Sequence, residues 1–200
     1  MDATHWLLAV LLGLSLAASA GLNAFLPLLM LSVAGHFHLA GINLGGNFYW
    51  LGSDLAIVIL AVATVLEIIG DKIPAVDHVL HSVGLVVRPA AGWLAAASVL
   101  GGADPTVAAV VGLIIGAPTA LGFHAAKAST RAVSSATTLG IANPFLSALE
   151  DFLSFAVAMI GFIAPVLAPV VLGGLAWLLW RMAKTAKGRI ASLQRLTDSH

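Results

Sequence analysis

The sequence predicts an all-α, polytopic membrane protein built as a bundle of about six transmembrane spans. Hydrophobic residues make up 60% of the chain and charged residues only 9%, whereas a soluble domain carries about 25% charged residues. So few charges cannot cover a water-facing surface of this size. Apolar stretches long enough to cross a bilayer also recur along the chain, separated by short polar segments. Both observations exclude a soluble protein and leave no room for a separate soluble domain.

The chain contains no cysteine, which excludes a disulfide framework, a thiolate nucleophile and a cysteine-ligated metal site. The N-terminal segment lacks the basic residues that open a signal peptide, and its apolar stretch is longer than a signal peptide needs. We therefore interpret it as the first span, with cleavage at Ala18-Ser19-Ala20 as the alternative.

Hydropathy places the predicted spans at 6–34, 54–69, 79–100, 106–128, 143–164 and 166–180. Together they form one membrane domain, 1–182, followed by a basic amphipathic tail, 183–200. Basic residues concentrate in the tail and in the second and fourth loops, so the positive-inside rule predicts that both termini are cytoplasmic. We expect the tail to bind anionic lipid rather than nucleic acid, because its basic run is short and directly follows a span.

The two halves of the chain resemble each other at a near-constant offset. Gly21 and Asn23 align with Gly122 and His124, and the acid-led span at Asp54 aligns with the one at 150–151. Each half, about 5–102 and about 105–182, holds about three spans, and an odd number inserts the second copy upside down. The sequence thus predicts a 3+3 inverted repeat, with chance alignment as the alternative because the identities are few.

Spans 1 and 4, the corresponding helices, are both interrupted by glycine and proline near the membrane centre. A broken helix exposes backbone groups that lipid cannot satisfy, so these groups must face protein, water or a ligand. Paired interruptions are the best sequence indicator of a substrate site between two repeats, although such residues also serve close helix packing. The predicted substrate-binding residues are Gly21, Asn23, Pro27, Arg88, Pro118, Gly122, His124 and Lys127.

Three of these side chains also have simpler structural explanations. Arg88 lies inside span 3, where a charge costs at least about 2.5 kcal/mol, so it either pairs with an acid or binds an anionic substrate. Lys127 can extend its amine to the membrane interface. A buried His124 can hydrogen-bond to a helix carbonyl.

A cluster of acids and histidines follows span 2. Glu67 and Asp71 are four residues apart, as on one face of a helix, and His78 and His81 are three apart. Together with Asp77, carboxylates and imidazoles at this spacing predict a site for a divalent cation. In the alternative, the cluster is a helix–turn–helix in which Asp77 caps span 3. No other cofactor is expected.

Segments 19–27, 67–77 and 124–131 resemble an uncharacterised bacterial membrane family, the domain of unknown function 4126. The resemblance covers most of the chain. It implies a location in the bacterial inner membrane and offers no activity or catalytic residues.

These features predict a small secondary transporter or channel-like permease for an ion or a small charged solute, with Glu67, Asp71 and Arg88 at its cytoplasmic entrance. A pore needs more space than one small protomer offers, so we expect a homodimer or higher oligomer. The alternatives are a flippase or scramblase for anionic carrier lipids, with Arg88 and Lys127 attracting the headgroup, a metal-dependent membrane enzyme, and a structural or assembly protein.

Overall fold

The computed structural model describes residues 2–44, 46–178, 180–181 and 184. These residues are helical and contain no strand, which confirms the all-α prediction. The helices are α1 (Ala3–Leu22), α2 (Leu26–His36), α3 (Asp54–Gly70), α4 (Pro74–Ser98), α5 (Pro105–Thr138), α6 (Asn143–Ile163) and α7 (Pro165–Leu178). Two 3₁₀ turns, Leu39–Gly41 and Gly46–Gly52, connect α2 to α3. The predicted tail, 183–200, lies outside the described residues except for Lys184.

Short polar side chains and prolines fix where several helices begin. Asp2 precedes α1 and accepts the backbone N–H of His5 at 3.2 Å. Ser53 precedes α3 and accepts the N–H of Ala56 at the same distance, 3.2 Å. Asp104 caps α5 in the same way. A proline in the first turn of α4, α5 and α6 favours helix initiation there, because that position needs no N–H.

Four of the described helices are long and apolar enough to cross a bilayer, namely α1, α4 from Val79 onward, α5 and α6. A fifth crossing arises if Gly46–Gly52 and α3, which meet at a 66° bend, are counted as one span. α2 and α7 are shorter apolar helices. The described residues therefore support a membrane protein with four or five long spans, and the predicted number of six is not confirmed.

The first predicted span, 6–34, is two helices that run in opposite directions. α1 alone has 20 residues, about 30 Å, which is enough to cross a membrane. The extended residue Asn23 (φ −140°, ψ 119°) ends α1, and α2 then turns back along the bundle. As a result, Ile42 lines the same cavity as His5 and Leu12. The prediction of one interrupted span was wrong because hydropathy sums the apolar residues of both helices and carries no information on chain direction.

The two ends of the bundle are chemically different. At the His5 end, His5 shares a cavity with the turn between α4 and α5. At the charged end, Asp71 and Lys127 form a buried ion pair. α7 begins at Pro165, which lines the His5-end cavity, and Trp180, after α7, lines a groove that reaches Ser129, two residues after Lys127. The first and last described residues thus lie at opposite ends of the bundle, which does not fit a topology with both termini on one side.

α1 and α5, the helices that the inverted repeat relates, run in the same direction. Both begin at the His5 end, where Gly102 lines the same cavity as His5. Further along, Gly21 of α1 contacts Ala120 of α5, and Lys127 reaches the end of α1. An inverted repeat requires opposite directions for corresponding helices. The described helices therefore give no support to the predicted 3+3 inverted repeat, which is not confirmed.

α5 is one continuous helix through Pro118 and Gly122, so the break predicted in span 4 was wrong. A proline inside a helix removes only one backbone hydrogen bond, and nearby hydroxyl groups often support the affected turn in membrane helices. Here the Thr119 hydroxyl donates to the Ile115 carbonyl oxygen at 2.6 Å. This bond lies in the same turn but does not replace the one that Pro118 removes, whose acceptor would be the Ile114 carbonyl oxygen. The sequence pattern overestimated the effect of this proline, because the loss of one hydrogen bond does not end a helix of 34 residues.

Small residues allow α4 and α5 to pack backbone against backbone in the middle of the bundle. Gly92 and Gly116 face each other, and a Cβ atom at Gly112 would lie 2.7 Å from the backbone of Ala97. α1 packs against the same helices, and the chain is buried without interruption from residue 15 of α1 to residue 24, just after its end. This packed layer separates the His5 end from the charged end.

Because the chain has no cysteine, single cysteines can report the direction of α1 and α2. We expect His5→Cys and Asn43→Cys to react with an impermeant maleimide from one side of sealed vesicles. Ala136→Cys and Trp180→Cys should react from the other side. All four positions are exposed or lie at the bundle ends, so the substitutions should be tolerated. Reaction of His5→Cys and Trp180→Cys from the same side, with Asn43→Cys on the opposite side, would restore the six-span topology.

Candidate functional site

A polar cavity of about 300 Å³ opens at the charged end between α4 and α5. Towards the His5 end, the contact between Gly92 and Gly116 closes the space between these helices. The ionisable side chains that line the cavity are Asp71, Asp77, His81, Arg88, His124, Lys127 and Arg131. The fold thus brings together charged residues that are far apart in the sequence.

The end of α1 is held by two cations. The last carbonyl groups of a helix have no partner within the helix. Arg88 donates through Nη1 to the carbonyl oxygens of Gly21 at 2.7 Å and Leu22 at 2.6 Å. Lys127 donates through Nζ to the Leu22 carbonyl oxygen at 2.9 Å. Both positive charges therefore lie where the helix macrodipole is negative, which stabilises the end of α1.

The start of α2 is held by a carboxylate and an amide. Glu67 accepts the backbone N–H of Ala24 at 2.9 Å and that of Phe25 at 3.3 Å. The side-chain oxygen of Asn23 accepts the N–H of Leu26 at 3.0 Å and so caps α2. The negative charge of Glu67 lies where the macrodipole of α2 is positive. Protein groups therefore satisfy the backbone of the α1–α2 break.

Buried charges connect this break to the cavity and form what we call the charge network. Its members are Glu67, Asp71, Arg88, Lys127, Arg131 and Glu150, none more than 7% exposed. The principal ion pairs are Arg88–Glu67 (2.8 Å), Lys127–Asp71 (2.6 Å) and Arg131–Glu150 (2.6 Å). Three cations thus balance three carboxylates, and this neutrality limits the cost of burying the charges.

The edge of the charge network is more exposed to water. Arg131 pairs with Asp77, and Lys72 pairs with Asp151 at 3.1 Å. Asp151 also accepts a hydrogen bond from the Asn23 amide at 2.9 Å. The α1–α2 break is therefore tied to α6 as well as to α3, α4 and α5.

Asp71 is the carboxylate that all three cations of the network share. It lies in the turn after α3, with Lys127 at 2.6 Å, Arg131 at 3.4 Å and Arg88 at 3.9 Å. Burial favours the neutral acid, but the positive charges of Lys127, Arg131 and Arg88 outweigh burial and hold the pKa of Asp71 below its ordinary value. Asp71 therefore remains ionised at neutral pH and joins the ion pairs into one unit.

Two side chains of the cavity wall, His124 and Asn143, carry buried polar atoms without a partner in the described part of the chain. The His124 side chain is 1% exposed, and neither ring nitrogen makes a hydrogen bond of ordinary geometry, although the backbone of His81 approaches the ring. In Asn143 the unpartnered atom is the side-chain oxygen. The His124 ring packs against that of His81, with 4.9 Å between the centroids. A buried polar group without a partner costs about 1–3 kcal/mol. Such a group facing a polar cavity marks the place where a ligand or ordered water would bind.

The structure brings some of the predicted substrate-binding residues together and leaves others apart. Arg88, His124 and Lys127 line the cavity, and Asn23 and the backbone of Gly21 belong to the break beside it. Pro27 is buried in the first turn of α2 and does not line the cavity. Pro118 and Gly122 line a separate, largely apolar groove that includes Trp180.

The predicted divalent-cation site gains no geometric support. In the described residues, no three His, Asp or Glu side chains are arranged to hold a metal ion. Glu67, Asp71 and Asp77 instead face arginine and lysine side chains, and His81 packs on another imidazole. Nothing is described of the His78 side chain. The helix–turn–helix of the alternative is present, but Asp77 does not cap it, because α4 begins at Pro74 after Ile73 and Asp77 lies within its first turn.

Sequence reasoning missed Arg131 as a site residue. Arg131 follows Lys127 by four residues and therefore lies on the same face of α5 as Lys127 and His124. That helical spacing was a usable signal. No comparable spacing indicated Glu150 as its partner, because nineteen residues and the turn between α5 and α6 separate the two.

The fold and site together define a polytopic helical membrane protein whose core holds a neutral network of buried ion pairs. The family described as "Domain of unknown function (DUF4126)" matches residues 10–185, and the chain belongs to this family. The matched region contains the whole charge network and the cavity. No curated protein and no solved structure matches the chain.

Glu67→Gln should destabilise the protein by about 3–5 kcal/mol, because it leaves the buried Arg88 without its closest carboxylate. Asp54→Asn is the matched control, since it makes the same type of change at the other end of α3 on a side chain that is 92% exposed. Unfolding of the purified protein in mixed micelles of increasing SDS content measures both. Equal stability of the two variants would show that the Glu67 carboxylate does not hold the break.

Proposed function

We propose that the protein is a membrane permease that moves an ion or a small charged solute, with the cavity at the charged end as its binding chamber. One observation carries the proposal: a polar cavity enters the membrane helices from one end and stops at a buried charge network. Charged side chains inside membrane spans are costly and commonly line substrate pathways. A purely structural role explains the buried ion pairs. It does not explain why a cavity lined by ionisable side chains has an unsatisfied imidazole in its wall.

A carrier fits the geometry better than a channel. A second cavity, of about 810 Å³, lies at the His5 end. Between the cavities, α1, α4 and α5 pack closely, with a Cβ position at Gly13 only 3.2 Å from Ala96. Solute would then reach the far side only after these helices rearrange, as in alternating access. The charge network ties α1 to α4, α5 and α6, so its ion pairs would have to rearrange when these helices move.

We place the charged end on the cytoplasmic side of a bacterial inner membrane, because Lys72, Arg181 and Lys184 lie there. Exposed aromatic residues at both ends of the bundle fit the two membrane–water interfaces. Tyr49 and Trp50 are exposed at the His5 end. At the other end, Trp177 packs against Arg181, 5.2 Å from the ring centre. This orientation puts residues 2–5 outside and the tail inside, where anionic lipid would bind it. The predicted homo-oligomer stays a prediction.

The lipid-transport alternative has weaker support. Arg88 and Lys127 pair with acids in the core, whereas the groove that faces outward beside Trp180 is lined mainly by apolar and small residues. A headgroup path would place the cations in such a lateral groove. No specific observation on the described residues favours a membrane enzyme or a purely structural protein.

Flux into proteoliposomes tests the permease. Ala132→Trp should reduce protein-dependent flux to background, because it fills the cavity without removing a charge. Ala136→Trp, one turn further along α5, exposed and away from the cavity, is the matched control and should retain flux. The panel of solutes would include monovalent cations, divalent cations and small anions. Flux unaffected by Ala132→Trp would show that the pathway does not pass through this cavity. Absence of flux for every solute of the panel would favour lipid movement instead.

A further inference from the structure

We infer that the solute is a small oxyanion, bound in the cavity between Arg88 and His124. The inference rests on the proposed function, since it names the chemical class that the permease carries. Arg88 approaches this part of the cavity from α4, and His124 approaches it from α5. Three features favour an oxyanion: the excess positive charge of the cavity wall, an unpartnered hydrogen-bond donor, and the close approach of Arg88 and His124.

The wall of the cavity carries one positive charge in excess. Three cations line it, whereas only two carboxylates do, those of Asp71 and Asp77. The other two carboxylates of the site, Glu67 and Glu150, pair with Arg88 and Arg131 but do not line the cavity. The network is therefore neutral as a whole, while its cavity-facing surface favours an anion.

The wall also offers a hydrogen-bond donor that makes no hydrogen bond of ordinary geometry within the described residues. A neutral imidazole has one N–H donor and one acceptor nitrogen, and both nitrogens of His124 lack partners. An oxygen atom of an anion would accept from the N–H. A bare cation would need several oxygen ligands at once, but the two lining carboxylates are already engaged by Lys127 and Arg131, and the side-chain oxygen of Asn143 is one unpartnered acceptor. The donor set therefore matches an oxyanion better than a metal cation.

Gly84 allows Arg88 and His124 to lie close to each other beside the cavity. A Cβ atom at this position would lie 3.1 Å from Arg88 Nε and 3.1 Å from His124 Cε1, so any side chain there would crowd both groups. A cavity of about 300 Å³ has room for phosphate, sulfate or a short carboxylate together with some water. Chemistry and size thus converge on a small oxygen anion.

Binding by the purified full chain in detergent tests the inference without relying on flux. Sodium phosphate, sulfate and succinate would be titrated at constant ionic strength against sodium chloride while the melting temperature is followed. We expect at least one oxyanion to stabilise the protein saturably, because a ligand that binds only the folded state raises its stability. Absence of a saturable effect from all three would overturn the inference. Stabilisation by phosphatidic acid alone would assign the oxyanion to a lipid headgroup and would also overturn it.

Variants locate the site. His124→Leu should weaken oxyanion binding about tenfold or more, as expected when a hydrogen bond to a charged group is lost. His124→Gln should recover part of the affinity, because its amide keeps a donor. His38→Asn, in an exposed left-handed turn away from the cavity, is the control and should bind normally. If His124→Leu does not fold, Ala132→Trp gives the same test by filling the cavity. Unchanged affinity in the cavity variants would contradict the proposed position.

Flux and binding together separate the two proposals. Cation flux without oxyanion binding would overturn the substrate class and leave the permease intact. Saturable oxyanion binding that depends on His124, without flux of that anion, would leave the binding site intact and overturn the permease.

Discussion

Complementary charges at the turn between α1 and α2 are the interaction on which the rest of the structure depends. A chain that reverses direction inside a membrane bundle leaves carbonyl groups at one helix end and N–H groups at the next helix start, and lipid offers neither donors nor acceptors. Arg88 supplies the donors and Glu67 the acceptors, and the two side chains also pair with each other at 2.8 Å. One ion pair therefore provides hydrogen bonds to both helix ends. Its positive member lies at the negative end of the α1 macrodipole, and its negative member lies at the positive end of the α2 macrodipole.

The cavity follows from this arrangement. Because Arg88 and Lys127 reach from α4 and α5 to the end of α1, these helices cannot close on each other at the charged end. Glycine contacts close them nearer the His5 end, which leaves a chamber that opens on one side only. Asp71 shares its carboxylate among the cations, so a solute that attracts one cation would affect every ion pair. Such coupling gives a physical route from solute binding to a change in helix packing.

Composition and hydropathy were enough to predict a helical membrane protein, because they report how much apolar surface each segment carries. They also indicated a helix break near Gly21 and the importance of Arg88, His124 and Lys127. They could not predict that α2 turns back, because hydropathy has no direction, and the inverted repeat followed from that error. Nor could they distinguish Pro118, which a continuous helix accommodates, from Asn23, where the helix ends. The pairing of Arg131 with Glu150 depends on the turn between α5 and α6 and becomes visible only in three dimensions.

The most direct test of the role of the ion pair is the stability of the double variant Glu67→Met/Arg88→Met, compared with wild type in SDS-containing micelles. Methionine fills similar space without charge, so neither variant side chain leaves an unpaired ion behind. If the charges serve the helix ends, the double variant remains markedly unstable, because the N–H groups of Ala24 and Phe25 and the carbonyl of Gly21 lose their partners. Stability equal to or above that of wild type would show that the two charges satisfy only each other, as buried ion pairs replaced by apolar residues often do, and would contradict this account.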